Sequence, residues 1–222
     1  MRVLTYNVRS LRDDGAAVAR VIRACRPDVV TLQEAPRFLR WRSKAAALAR
    51  RSGLVVVGGG RPAAANLLLS SLSVEVESTR DVLFSKDGGL HQRGAALAVL
   101  RLGGARIAVA GTHLDLAEAP RLRHIAELEG ALVGFAPKSV ATVVAGDVND
   151  GPGSPAWALL TERRRDAVPS GNGFTYSATN PQRRIDAVFA DPALRVLSAE
   201  VVDSPDVRIA SDHRPVLVEL GW

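Results

Sequence analysis

Asp147 and Asn149, two positions apart in the run Val143-Val144-Ala145-Gly146-Asp147-Val148-Asn149, are the residues of this 222-residue chain best placed to do chemistry together. The apolar, β-branched start of the run has the composition of a buried strand, and the polar pair falls where that strand runs out. If the chain stays extended for two more residues, alternation puts a carboxylate and an amide on one side, converging on one point. Asp, Asn and Gly are also ordinary turn formers, so the pair alone does not choose between a turn and a site. The same placement recurs along the chain. Asn7 lies near the end of Val3 to Val8, Glu34 follows Val29 to Gln33, and His113 follows Arg106 to Thr112. Asp186 enters Ile185 to Ala190, and Asp212-His213 precede Val216 to Leu220. Strand ends are where a rigid sheet presents side chains to one cleft, and packing alone does not call for several carboxylates beside two histidines.

The remaining elements follow from periodicity. Asp14 to Cys25 has apolar residues at helical spacing, Arg37 to Arg51 reads as an Ala- and Arg-rich helix, and Leu54 to Val57 leads into a Gly58-Gly59-Gly60 turn. That glycine run is no phosphate-binding loop, because no Gly-Lys-Ser/Thr follows it. Asn66 to Ser71, Ser73 to Glu77, Ala95 to Leu102, Val140 to Ala145 and Val196 to Val202 complete the predicted strands, with Gly103-Gly104 as a hairpin turn. A helix opens at Ala119-Pro120 with the stripe Leu122, Ile125, Leu128, Leu132, which leaves His124 off the stripe and on the surface. Ser154-Pro155 is an N-cap followed by a first-turn proline, starting a short helix through Leu160.

Composition bounds the rest. A hydrophobic fraction of 47% supports a substantial core, and no repeat, low-complexity segment or long linker divides the chain, so one domain over residues 1–222 is expected. No apolar run is long enough to span a bilayer, and Met1-Arg2 leads straight into the strand-like Val3 to Tyr6, so a cytoplasmic protein is expected. Cys25, the single cysteine, excludes an internal disulfide and reads as a buried structural thiol beside Val18, Val21 and Ile22. The net charge of +6 and pI of about 10.4 fit attraction to phosphates, and equally an arginine-rich compositional bias. Its densest clusters are Arg37, Arg40, Arg42, Lys44, Arg50 and Arg51, then Arg163-Arg164-Arg165; each reads as a binding patch or as a solvated helix face.

Taken in order, Thr5-Tyr6-Asn7, Leu32-Gln33-Glu34, Gly111-Thr112-His113-Leu114, Gly146-Asp147-Val148-Asn149, Arg184-Ile185-Asp186 and Ser211-Asp212-His213-Arg214-Pro215 resemble the motif series of the endonuclease/exonuclease/phosphatase superfamily. That group includes deoxyribonuclease I-like nucleases, exonuclease III-like apurinic endonucleases, neutral sphingomyelinases and inositol-polyphosphate 5-phosphatases. The resemblance runs from Asn7 to Pro215, and Arg93-Gly94-Ala95 is similar to the family's segment there. It implies an α+β fold, a four-layer α/β/β/α sandwich of two mixed sheets flanked by helices. It also implies a phosphoesterase using Mg²⁺ or Mn²⁺, a choice the hard oxygen donors and the lack of clustered Cys or His independently favour. Glu34 would be the first metal ligand, with Asn7 and Asp212 completing the shell directly or through water. Asp147, helped by Asn149, would align or deprotonate the attacking water. His213, paired with Asp186, would act as a transition-state imidazolium or as a base, and His113 would donate to a nonbridging oxygen. Arg93, His113, Asn149 and His213 are thus the expected phosphate contacts.

Val148 stands where many members have Phe, Ala187 where an aromatic often follows, and no counterpart of the abasic-site enzymes' phosphate-side tyrosine is evident. The substrate reading leans to DNA or RNA, with an inositol phosphate, phospholipid or other small ester as the alternative; no obligate protein partner is evident. A noncatalytic nucleic-acid-binding domain is the reading from another class, and its weakness is that unscreened carboxylates would repel phosphates. A dinuclear metallophosphoesterase would need Gly-Asn-His and Gly-His-x-His motifs, which are absent.

Overall fold

A computed structural model describes residues 1–168 and 173–222. In chain order the elements are β1 (Arg2–Asn7), α1 (Gly15–Cys25), β2 (Val29–Gln33), α2 (Trp41–Ser52), β3 (Val55–Gly60) and β4 (Asn66–Ser70). They continue with β5 (Glu75–Leu83), β6 (Gly94–Leu102), β7 (Ala105–His113), α3 (Glu118–Val133), β8 (Ala141–Asp147) and α4 (Pro155–Thr161). The last are β9 (Arg165–Asp166), β10 (Asp186–Ala190), β11 (Arg195–Val201), α5 (Pro205–Ala210) and β12 (Val216–Gly221). One six-stranded sheet has the order β11-β12-β1-β2-β4-β3, the other β5-β6-β7-β8-β10-β9. Both are mixed, with β1 parallel to β2 and β7 parallel to β8.

Strand alternation sets the layers. Val3, Val29, Val109, Val143, Val188 and Val216 point between the sheets into one apolar cluster. The opposite face of the first sheet, with Leu4, Tyr6, Val30 and Leu32, packs on Val18 and Ile22 of α1 and Leu48 of α2. The outer face of the second, with Leu97, Ala110, Val144 and Phe189, packs on Ile125 and Leu128 of α3 and Trp157 of α4. The result is the four-layer α/β/β/α sandwich. Cys25 is buried and free as expected, and Asp14 and Ser154 cap α1 and α4 through their side chains.

Several expectations change. Gly58 to Gly60 do not turn; they form the end of β3, where a side chain at Gly60 would collide with the Trp41 ring. The Arg37 helix begins only at Trp41, after Arg40 adopts a left-handed backbone. The strand expected to stop at Glu77 runs on to Leu83; it is an exposed edge strand with no buried face to leave an alternating pattern. Neither α5 nor β9 was anticipated, both being too short to carry a period. His124 is buried, stacked on Phe84 at 5.2 Å between centroids, with Nε2 bonded to the Ser85 carbonyl. The Arg163 to Arg165 run is no uniform surface patch, because Arg164 is buried against Glu129 and Thr142. Among the described residues no helix is long and apolar enough to cross a membrane.

Candidate active site

The site is the polar end of the core between the sheets. Along β1 the inward positions read Val3, Thr5, Asn7; along β2, Val29, Thr31, Gln33; along β7, Val109, Gly111, His113; along β8, Val143, Ala145, Asp147. Apolar side chains fill the middle of the sandwich, threonines and Gln33 form a buried hydrogen-bonded tier above them, and the chemistry-bearing groups cap it. Register makes the last row continuous across the second sheet, since Gly94 pairs with His113, His113 with Asp147, and Asp147 with Asp186.

Glu34, Arg93, His113, Asp147, Asn149, Asp212 and His213 line one cleft of about 390 Å³, and Asn7 and Asp186, buried, bond to its lining residues Asp147 and His213. Asn7 joins the two sheets there. Its Nδ2 donates to Glu34 Oε1 at 3.2 Å and to Asp147 Oδ2 at 3.0 Å, while its Oδ1 accepts from the Arg9 backbone at 3.1 Å. Glu34 and Asn149 hold left-handed backbones, at φ 50° and 56°, a cost that a residue with a side chain sustains only where its surroundings fix it. For Glu34 the fixing bond is Ser10 N–H to its carbonyl, 2.8 Å.

The two histidines are held in opposite states. Burial dominates at His113 and pushes its pKa down to about 3, Asp147 opposing and Arg93 assisting, so the ring is neutral. At His213 burial also pulls downward, but Asp186 through charge and hydrogen bond, with Asp147 and Asp212, outweighs it and raises the pKa to about 10. The Nδ1 of His213 bonds to Asp186 Oδ2 at 2.9 Å, and its Nε2 lies 3.8 Å from Asp147 Oδ2. His113 has a defined tautomer. Asn149 Nδ2 lies 3.0 Å from both the Leu114 carbonyl and His113 Nε2. A carbonyl can only accept, so the amide must present NH₂ here, and His113 Nε2 accepts, leaving its proton on Nδ1. Any donation from His113 to a phosphate then comes from Nδ1.

The carboxylates suit a hard cation. Glu34 and Asp147 share the neutral Asn7 amide as a donor, and Asp212 contacts Arg9 Nε and the Ser211 hydroxyl, each at 3.4 Å, so carboxylate oxygens of all three keep lone pairs for a cation. Asn7 turns its nitrogen inward, so direct ligation by its oxygen requires the amide to rotate. Asp147, Asp186 and His213 also bring ligand atoms within 4.8 Å of one another. There, however, Asp186 is bonded to His213, and a protonated imidazole has no lone pair to offer a metal. Arg93 is mostly buried, its Nε without a hydrogen-bond partner among the described residues and 3.7 Å from Asp115 Oδ2; burial pushes its pKa down.

Cleft residues without a signature in the sequence come from loops. Tyr176 sits with its ring 5.0 Å from His213 under the Arg183 guanidinium, so a tyrosine does reach the site. Arg12, Arg37, Phe38, His91 and Gln92 also line it. The Arg-rich α2 contributes no lining residue; only the loop before it does.

Fold and site together define a class, the four-layer sandwich hydrolases with an acidic, histidine-bearing cleft at one end of the sheets. The chain belongs to the endonuclease/exonuclease/phosphatase family, whose model matches residues 4–213, and whose members hydrolyse phosphate esters. No curated protein sequence matches it. Among solved structures, a mannosyl-6-phosphatase of Bacteroides thetaiotaomicron superposes with a TM-score of 0.84 at 15% identity, covering 100% of each chain. TDP2 of D. rerio, complexed with a single-strand DNA product, gives 0.76 at 15% identity over 100% of this chain and 99% of its own. A family member from Beutenbergia cavernae is 25% identical, with a TM-score of 0.72 over 99% of this chain and 71% of its own.

Proposed function

We propose that this chain is a Mg²⁺- or Mn²⁺-dependent phosphoesterase that hydrolyses its substrate by direct attack of water, with nucleic acid as the favoured substrate. The observation that carries the reading is the three-way junction at Asn7, where carboxylates from both sheets, Glu34 and Asp147, meet beside one neutral and one cationic histidine. Glu34, with Asn7 and Asp212, would hold the cation, which when bound draws charge from a phosphoryl oxygen and the leaving group. Asp147 is oriented at Oδ1 by the Asn149 N–H, 2.9 Å away, and at Oδ2 by Asn7, so it is poised to align or deprotonate a water. His213, held as imidazolium by Asp186, supplies fixed positive charge to the phosphorane-like transition state, in preference to the base role. Arg93 adds a second positive group, desolvated and therefore strongly felt.

The lean to nucleic acid rests on the cleft's border. Arg12, Arg37 and Arg183 have no carboxylate partner among the described residues, and two of them lie over aromatic rings, Arg37 on Phe38 at 5.2 Å and Arg183 on Tyr176 at 5.1 Å. Unpaired guanidiniums beside the exposed Phe38 ring and the half-buried Tyr176 ring suit phosphates flanked by bases. A small phosphate ester is the second reading, because a cleft of about 390 Å³ is also sized for one. A panel of single-stranded DNA, plasmid, RNA, inositol phosphates, hexose 6-phosphates and phospholipids, assayed with Mg²⁺ or Mn²⁺, tests both. Turnover persisting in excess chelator overturns the metal reading, and turnover confined to small esters overturns the lean.

A further inference from the structure

Besides the Asn149 amide, one further side chain ties the two catalytic loops together, an arginine from neither of them. Arg121, in the first turns of α3, is buried beneath the cleft. Its Nη1 donates to the carbonyls of Asp115 at 2.9 Å and Leu116 at 2.8 Å, in the loop that leaves β7 just after His113. The same nitrogen reaches the Asn149 carbonyl at 3.4 Å, and Nη2 donates to Asp150 Oδ2 at 2.6 Å, in the loop that leaves β8 just after Asp147. One planar cation thus ties together two chain segments whose backbones are last joined by the Leu114 N–H to the Asp147 carbonyl, at 2.9 Å.

What it fixes is specific. Asn149 is left-handed, and its amide spans the same gap as the arginine, from its own loop to His113 Nε2 and the Leu114 carbonyl. Asp115, whose carbonyl Arg121 holds, turns its carboxylate toward Arg93. Among the described residues the buried Nε of Arg121 has no partner, and the guanidinium is held by its terminal nitrogens. The two terminal nitrogens of the guanidinium carry four N–H groups and reach four acceptors, whereas a lysine ammonium has three donors on a flexible stem.

We propose that Arg121 is a positioning residue for the phosphoesterase reaction, setting the Asn149 amide against His113 and Asp147; this rests on the function proposed above. The test uses the full chain with Arg121→Lys, which keeps the charge and loses the fork, and Asp150→Asn, which keeps an acceptor oxygen and loses the charge. For Arg121→Lys we expect kcat on the order of tenfold to a hundredfold lower, the range that displacements of about 1 Å produce, with KM within about twofold of wild type. The ¹⁵N resonance of His113 Nε2, recorded without substrate, should shift as its amide donor withdraws. An arginine that only stabilises the fold would lower the melting temperature and leave kcat, KM and the His113 resonance of the folded protein unchanged, and that result overturns the proposal. If Arg121→Lys fails to fold, Asp150→Asn decides. The same His113 shift with a smaller loss of kcat supports the proposal, and no change in either overturns it. Because the His113 signal needs no substrate, a wild type inactive on every ester would sink the function while this inference is still tested.

Discussion

His113 and His213 are both buried beside Asp147, yet their neighbours drive them to opposite charge states, and pH separates their effects. The folded-state pKa of His213, about 10 against an ordinary 6.5, gives stabilisation that is complete below 6.5 and lost as pH rises toward 10. That of His113, about 3, means the unfolded chain takes up a proton the folded one refuses, so stability falls as pH drops from 6.5 toward 3. Melting temperature scanned across this range should therefore peak near pH 6.5, and Asp186→Asn should flatten the alkaline side alone. In kinetics, His213→Ala and Asp186→Ala should each lower kcat on the order of a hundredfold or more, and the double variant much less than the product. Multiplicative losses would mean that the two act separately. Glu34→Gln should cut Mn²⁺ affinity in calorimetry while barely shifting the metal-free melting curve, since a cleft-facing carboxylate contributes little packing; a large melting shift with intact affinity would refute its role.

At the scale of elements, the site depends on β8 lying close enough to β7 for His113, Asp147 and Asp186 to share one row. Gly146 permits this. An added Cβ there would run into the Thr112 backbone carbonyl across the parallel pair, so Gly146→Ala must push the strands apart. Backbone displacements of this kind in a packed interior cost roughly 1–3 kcal/mol. We expect Gly146→Ala to lower the urea midpoint by a corresponding amount and to lose activity beyond that, because His113 and Asp147, which follow Thr112 and Gly146 directly, are the residues proposed to act on the substrate; wild-type stability would contradict the close approach.

For the whole molecule, the net charge of +6 matters through where its arginines stand. Many are paired, as Arg20 is with Asp206 and Arg106 with Glu77, whereas Arg12, Arg37 and Arg183 at the cleft have no carboxylate partner among the described residues. If those three each neutralise a phosphate, binding of duplex DNA by a Glu34→Gln/Asp147→Asn protein should weaken with salt at a log-log slope of roughly −0.9 per phosphate, near −3 in all, or about −0.7 each on single strands. A flat response, together with efficient cleavage of a small ester, would reject nucleic acid and leave the family assignment standing.

Much of this was legible from residue types alone. The strand-end positions of Asn7, Glu34, His113, Asp147, Asp186 and His213 follow from apolar runs that stop at polar residues, and their order matches the family's motifs, because strand alternation and burial act locally. The sequence also determined that the layers would be two sheets and outer helices, through that resemblance. Tertiary structure decided the rest. That Asn7 bridges the two sheets depends on how they stack face to face, a long-range fact with no local pattern. Tyr176, Arg183 and Phe38 reach the cleft from loops, where no periodicity announces a direction. His124 looked exposed because a helical stripe counts only apolar residues, and it is the loop at Phe84 and Ser85 that covers it. The opposite charge states of His113 and His213 were beyond any reading of residue types, since both are histidines beside carboxylates and both are equally buried; the Asp186 contact, fixed only when β10 pairs with β8, tells them apart.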